Sequence, residues 1–127
     1  MDRHFTQHYT IDEARALLPQ IRRWLQQLDD LRGQLQKAEP RLQSLMQRGG
    51  DAGGDLINRW VRAMADFRTV MAEFESREIQ LKDIERGLLD FPAIRDGREV
   101  FLCWEKGEDD IGHWHDLDAG YAGREEL

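Results

Sequence analysis

Apolar residues recur at heptad spacing along the first part of the chain. One row reads Ala14, Ile21, Leu28, Leu35 and Leu42, and the other Leu17, Trp24, Leu31, Ala38 and Leu45. Rows offset by three and four residues form one stripe on a helix, so a long helix is predicted over 10–48. Leu18 and Leu25 widen that stripe, which calls for more than one helical neighbour. Thr10-Ile11-Asp12-Glu13 reads as a capping box, each end residue accepting from the other's amide. Pro19 predicts a kink. Pro40 predicts a bend rather than a stop, because Leu42 and Leu45 continue the pattern.

Four glycines lie between positions 49 and 54. No strand pattern precedes them and no Gly-Lys-Ser/Thr follows, so a helix–helix turn is predicted and a phosphate-cradling loop is not. Asp55 then suits an N-cap. A second helix over 55–77 carries Ile57, Trp60, Met64, Phe67, Met71 and Phe74 on one side. Trp60, Phe67 and Phe74 form an aromatic line, and core packing is its expected role, with Trp60 and Phe67 largely buried. At Glu78 the pattern fails and the period becomes two.

Short strands are expected at Ile79–Leu81, Leu88–Ala93, Glu99–Glu105 and Ile111–His115. Pro92 suits an edge or a bulge, and Asp96-Gly97 is a type I′ hairpin signal. Residues 117–127 read as a tail without a period, and residues 1–9, with His4 and His8, as a frayed terminus. The prediction is a single α+β domain over 1–127: a long antiparallel αα-hairpin followed by a small antiparallel β-meander at 79–116.

Composition sharpens this picture in one respect. The chain carries a net charge of −7 over 127 residues. Residues 1–81 hold 12 acidic and 12 basic side chains, whereas residues 82–127 hold 13 and 6. The excess negative charge therefore lies in the predicted sheet unit, which disfavours nucleic acid there and accommodates a metal ion or basic partner. No apolar run is long enough for a membrane span, and no signal-peptide core opens the chain. A single cysteine fits a reducing cytoplasm.

The Asp96-Gly97 turn pairs Arg95 with Arg98, and counting outward pairs Asp90 with Cys103. A five-residue loop over 106–110 would set Cys103 across from His113 and Phe101 across from His115. Asp90, Cys103, Glu105, His113 and His115 then share one face, on which Asp90, Cys103, His113 and His115 are a donor set that suits a divalent metal such as zinc. A slip of one residue would turn both histidines toward the helices. A central-strand Cys103 is expected to be a buried, inert thiol rather than a nucleophile. Arg86, Asp90, Glu108 and Arg124 lie beside glycines in turns, as loop-fixing ion pairs or as a small polar-ligand site. No nucleotide fingerprint, Ser–His–Asp spacing or glycosidase-like carboxylate pair is present.

The run Lys82-Asp83-Ile84-Glu85-Arg86-Gly87-Leu88-Leu89-Asp90-Phe91-Pro92 continues as Gly97-Arg98-Glu99-Val100-Phe101-Leu102-Cys103-Trp104, then Gly107-Glu108, Trp114-His115-Asp116-Leu117-Asp118, Gly120 and Gly123-Arg124. With Phe5-Thr6 and Leu17-Leu18-Pro19, this pattern resembles the bacterial family catalogued as domain of unknown function 2203, over nearly the whole chain. The resemblance implies no reaction, cofactor or partner. Members often carry an aromatic residue where this chain has His113, which weakens a site that requires it.

Two classes of function follow, and enzymatic activity is left open by both. One is a homo-oligomeric structural or protein-interaction module, a homodimer joined through its helices and presenting an acidic sheet. The other is a metal- or small-ligand-binding protein with its site on the sheet.

Overall fold

The computed structural model describes residues 3–48 and 54–127, so the expected glycine turn at 49–53 lies outside the described residues. The architecture is α+β. Helices α1 (Ile11–Gln47) and α2 (Gly54–Glu75) precede β1 (Gln80–Asp83), β2 (Leu88–Arg95), β3 (Arg98–Glu105), β4 (His113–Asp116) and β5 (Glu125–Glu126). The chain divides into two compact units, Met1–Arg23 with Glu73–Leu127, and Trp24–Ala72.

In the first unit the five strands form one antiparallel sheet in sequence order. Asp96 and Gly97 have φ of 52° and 80°, the double left-handed turn that a two-residue hairpin loop demands. That turn sets Arg95 against Arg98 and, further along, Asp90 against Cys103. Leu89, Phe91, Val100, Leu102 and Trp104 alternate onto one face and are buried there. The first turns of α1 bury Ala14, Leu18 and Ile21 in the same unit. Tyr9 meets Phe91 edge-on at 5.4 Å, and the Arg22 guanidinium lies 5.5 Å from the Trp104 ring.

The capping box is formed as read. The Thr10 amide donates to Glu13 Oε1 at 3.0 Å, and the Glu13 amide donates to Thr10 Oγ1 at 3.1 Å. The helix assignment runs unbroken through Pro19 and Pro40.

Three expectations for the sheet unit need correction or refinement. Pro92 lies on β2, an interior strand in the sheet order, but past the end of β1, so the side facing away from β3 is locally an edge. Its position is tolerated because β1 pairs only as far as Asp90, and beyond it the Tyr9 amide donates to the Pro92 carbonyl at 2.7 Å. A strand residue directs its N–H and C=O to the same side, so the donor Pro92 lacks is not one that β3 would receive. The 117–127 segment is not a featureless tail. It forms a 3-10 turn at Tyr121–Gly123 and then β5, which pairs His113 with Glu126 and Trp114 with Glu125. Residues 4–9 are not frayed. The Glu99 carboxylate accepts from the amides of His4 and Phe5 at 2.7 and 3.0 Å and lies 3.2 and 2.7 Å from the His4 and His8 rings.

Glu78 fixes the same segment from the other side. It follows α2 with φ of 59°, a left-handed position that ordinarily selects glycine. The Ile79 amide donates back to the Phe74 carbonyl and the Glu78 amide to that of Glu75. These bonds make a Schellman closure, with Phe74 and Ile79 buried as its apolar pair. The side chain explains why glycine is not used: Glu78 Oε1 accepts from the Thr6 amide, the Thr6 hydroxyl and the Gln7 amide at 2.9, 2.6 and 2.7 Å.

In the second unit α1 and α2 run side by side. Trp24, Leu25, Leu28 and Ala63 are buried, whereas Trp60 and Phe67 are only half-buried. This corrects the expectation for Trp60 and Phe67, whereas Phe74, the third residue of the aromatic line, is buried as expected. The stripe is apolar as read, but within one chain it is only partly covered.

Candidate functional site

The two hairpin registers build the site. β2 against β3 places Asp90 opposite Cys103, and β3 against β4 places Cys103 opposite His113 and Phe101 opposite His115. This is the register that the five-residue loop requires. Asp90, Cys103 and His115 are 3%, 1% and 2% exposed, and one ligand atom of each lies within 4.8 Å of the other two.

Hydrogen-bond accounting at His115 defines the chemistry. Its Nδ1 lies 2.7 Å from the Asp116 carbonyl oxygen and its Nε2 lies 3.0 Å from Asp90 Oδ1. A carbonyl oxygen only accepts, so Nδ1 carries a hydrogen. A neutral ring then has no hydrogen left for Nε2, which faces a carboxylate oxygen. The pair is satisfied only with a proton, or another cation, between Nε2 and Oδ1. Cys103 adds a third donor. Burial and the neighbouring Asp90 carboxylate push its thiol up to about 12, against the opposing pull of Arg124. At neutral pH the sulfur is a protonated thiol hydrogen-bonded to Asp90, not a nucleophile.

His113 does not join this trio. Its Nδ1 receives a hydrogen bond from Arg124 Nη2 at 2.6 Å and lies 3.4 Å from Glu108 Oε2. Of the four residues expected to share a site, the structure thus gathers Asp90, Cys103 and His115, whereas His113 is turned toward the Arg124–Glu108 pair.

The separate group Arg86, Asp90, Glu108 and Arg124 is not gathered at one point. Arg86 pairs with Glu105, Asp90 with His115, and Arg124 Nη2 reaches both oxygens of Glu108 at 2.9 and 2.7 Å. Glu108 also accepts from the Glu105 amide at 2.7 Å, and its carbonyl accepts from Trp104 Nε1 at 3.0 Å. These pairs tie loop ends together. Burial opposes the charge on Arg124, but hydrogen bonding to Glu108 and the nearby acids raise its pKa overall. Both Arg86 and Arg124 lie against Tyr121, at 4.4 and 4.7 Å from the ring centre. Tyr121 escaped the sequence reading because a lone aromatic in a glycine-containing stretch carries no periodic signal.

Fold and site together define an α+β protein with a helical pair, a five-stranded antiparallel sheet and a buried Asp–Cys–His cluster on that sheet. A family model described as "Uncharacterized conserved protein (DUF2203)" matches residues 7–127. The chain belongs to this family. Neither the curated proteins nor the solved structures give a match. Among the described residues, no helix is long and apolar enough to cross a membrane.

Proposed function

We propose that this protein binds a divalent metal ion, zinc being the ion that fits best, through Asp90, Cys103 and His115. The observation that carries the reading is the His115 ring, whose two nitrogens both face acceptors in a buried site that also holds a thiol. A zinc ion replaces the proton between Nε2 and Asp90 and the proton on Cys103. The exchange is electrically neutral: two protons leave and one doubly charged ion enters. Zinc bonds of about 2.0–2.3 Å put tetrahedral ligands about 3.3–3.7 Å apart. The cluster's 3.0 Å contact and 4.8 Å limit bracket that spacing, so small rotamer adjustments suffice. The bond from Nδ1 to the Asp116 carbonyl orients the ring as outer partners of metal-bound histidines do. Three protein ligands leave a fourth position free.

Calorimetry with zinc and chelator-treated, untagged protein tests this. One ion binds per chain and about two protons are released, measured in buffers of different ionisation enthalpy. Affinity falls as pH is lowered. Cys103→Ser and His115→Ala each weaken binding by more than the roughly 10–100-fold of outer-shell changes, and His113→Ala changes it little. Absence of binding by folded protein, or equal loss in His113→Ala, contradicts the assignment.

A further inference from the structure

Independently of the metal reading, we infer that the helical unit Trp24–Ala72 carries the interface for a second copy of this chain. One side of the pair is an open groove of about 550 Å³ between α1 and α2, with Leu35, Leu42, Trp60 and Met64 in its lining. Met46, Ile57 and Val61 stand on the same lining and are 74%, 41% and 53% exposed. A face that bears both a groove and projecting apolar side chains is self-complementary. In a two-fold pairing each copy's projections enter the other's groove, as knobs enter holes between helices.

Charge selects the occupant. Residues 24–72 hold 6 acidic and 7 basic side chains, and the rest of the chain holds 19 and 11. Two sheet units repel each other, whereas two helical units meet almost without net charge. The flanks add a complementary pair. Glu39, one heptad before Met46, carries an acid on α1, and Arg68, one heptad after Val61, carries a base on α2. Flanking charges of this kind set partner choice in helical bundles.

The area is of the right order. About 30 Å of two helices, each about 10 Å across, offers on the order of 600 Å² in projection. That approaches the roughly 800 Å² of accessible surface that a stable partner contributes. The half-buried Trp60 lines this groove and so belongs to a seam that one chain does not close.

Light scattering on the full chain at about 100 µM should give twice the 14.9 kDa chain mass. Val61→Lys and Met46→Lys, on exposed positions that a monomer tolerates, should return the mass to that of one chain at the same concentration. Their far-ultraviolet circular dichroism should stay that of a folded helical protein. Reversing both flank charges, Glu39→Arg with Arg68→Glu, should leave the dimer intact. A wild-type chain that is monomeric and fully helical at this concentration overturns the inference, and so does a dimer that persists in both lysine variants.

Discussion

Cys103 shows how neighbours decide what a residue can do. Burial first, and the Asp90 charge second, hold its thiol protonated to about pH 12 against an ordinary value of 9.0. Because the folded value is the higher one, the unfolded chain loses this proton first. The stability involved is fully present below about pH 9 and is lost as pH rises toward about 12. Two outcomes follow. A disulfide reagent at pH 8 should modify Cys103 only at the rate of global unfolding, and Cys103→Val should flatten the alkaline limb of the stability profile. Rapid stoichiometric labelling of native, metal-free protein would show that the sulfur is accessible and that its protonation is not held by burial.

At the scale of elements, the legible parts are those governed by short-range rules. The Thr10–Glu13 capping box and the Asp96-Gly97 turn are local chemistry, and once the turn fixes one register the Asp90–Cys103 pair follows. Less legible is anything that depends on a partner distant in sequence. β5 is two residues long and exists because β4 offers it an edge. Pro92 is tolerated on an interior strand because Tyr9 lies alongside. The N-terminal strap is ordered by Glu78 and Glu99, some 70 to 95 residues away. At the site, the shared face of Asp90, Cys103 and His115 was legible from register alone. The exclusion of His113 was not, since it depends on Arg124 arriving with the last strand.

The strap yields an element-scale prediction. Burial works against the Glu99 charge, but hydrogen bonds from the His4 amide, the His8 ring, the Phe5 amide and the His4 ring bring its pKa down to about 2. A depressed carboxylate stabilises the fold above its unfolded value of about 4.5, and that contribution is lost as pH falls through about 2. Amide protection at His4 and Phe5, measured against the intrinsic exchange rate at each pH, should therefore be high at pH 5 and fall across that window. Glu99→Gln should make it low throughout. Unchanged protection in the variant would mean that something other than Glu99 holds the strap.

For the whole molecule, charge and apolar surface are segregated. The acidic side chains gather in the unit built around the sheet, and the uncovered apolar seam lies in the nearly neutral helical unit. The proposed cation site and the inferred self-association face therefore fall in different units, so loss of one should leave the other intact. The proposed function rests on a metal ion held through the sulfur in the buried Asp90–Cys103–His115 cluster. Cobalt(II) added to chelator-treated protein tests it most directly, because a cobalt–thiolate bond produces a near-ultraviolet charge-transfer band and strong visible bands when four-coordinate. The account predicts both at one cobalt per chain, abolished by Cys103→Ser and by His115→Ala and displaced by zinc. Folded wild-type protein that takes up no cobalt, or that shows only the weak spectrum of cobalt bound through oxygen, would contradict it.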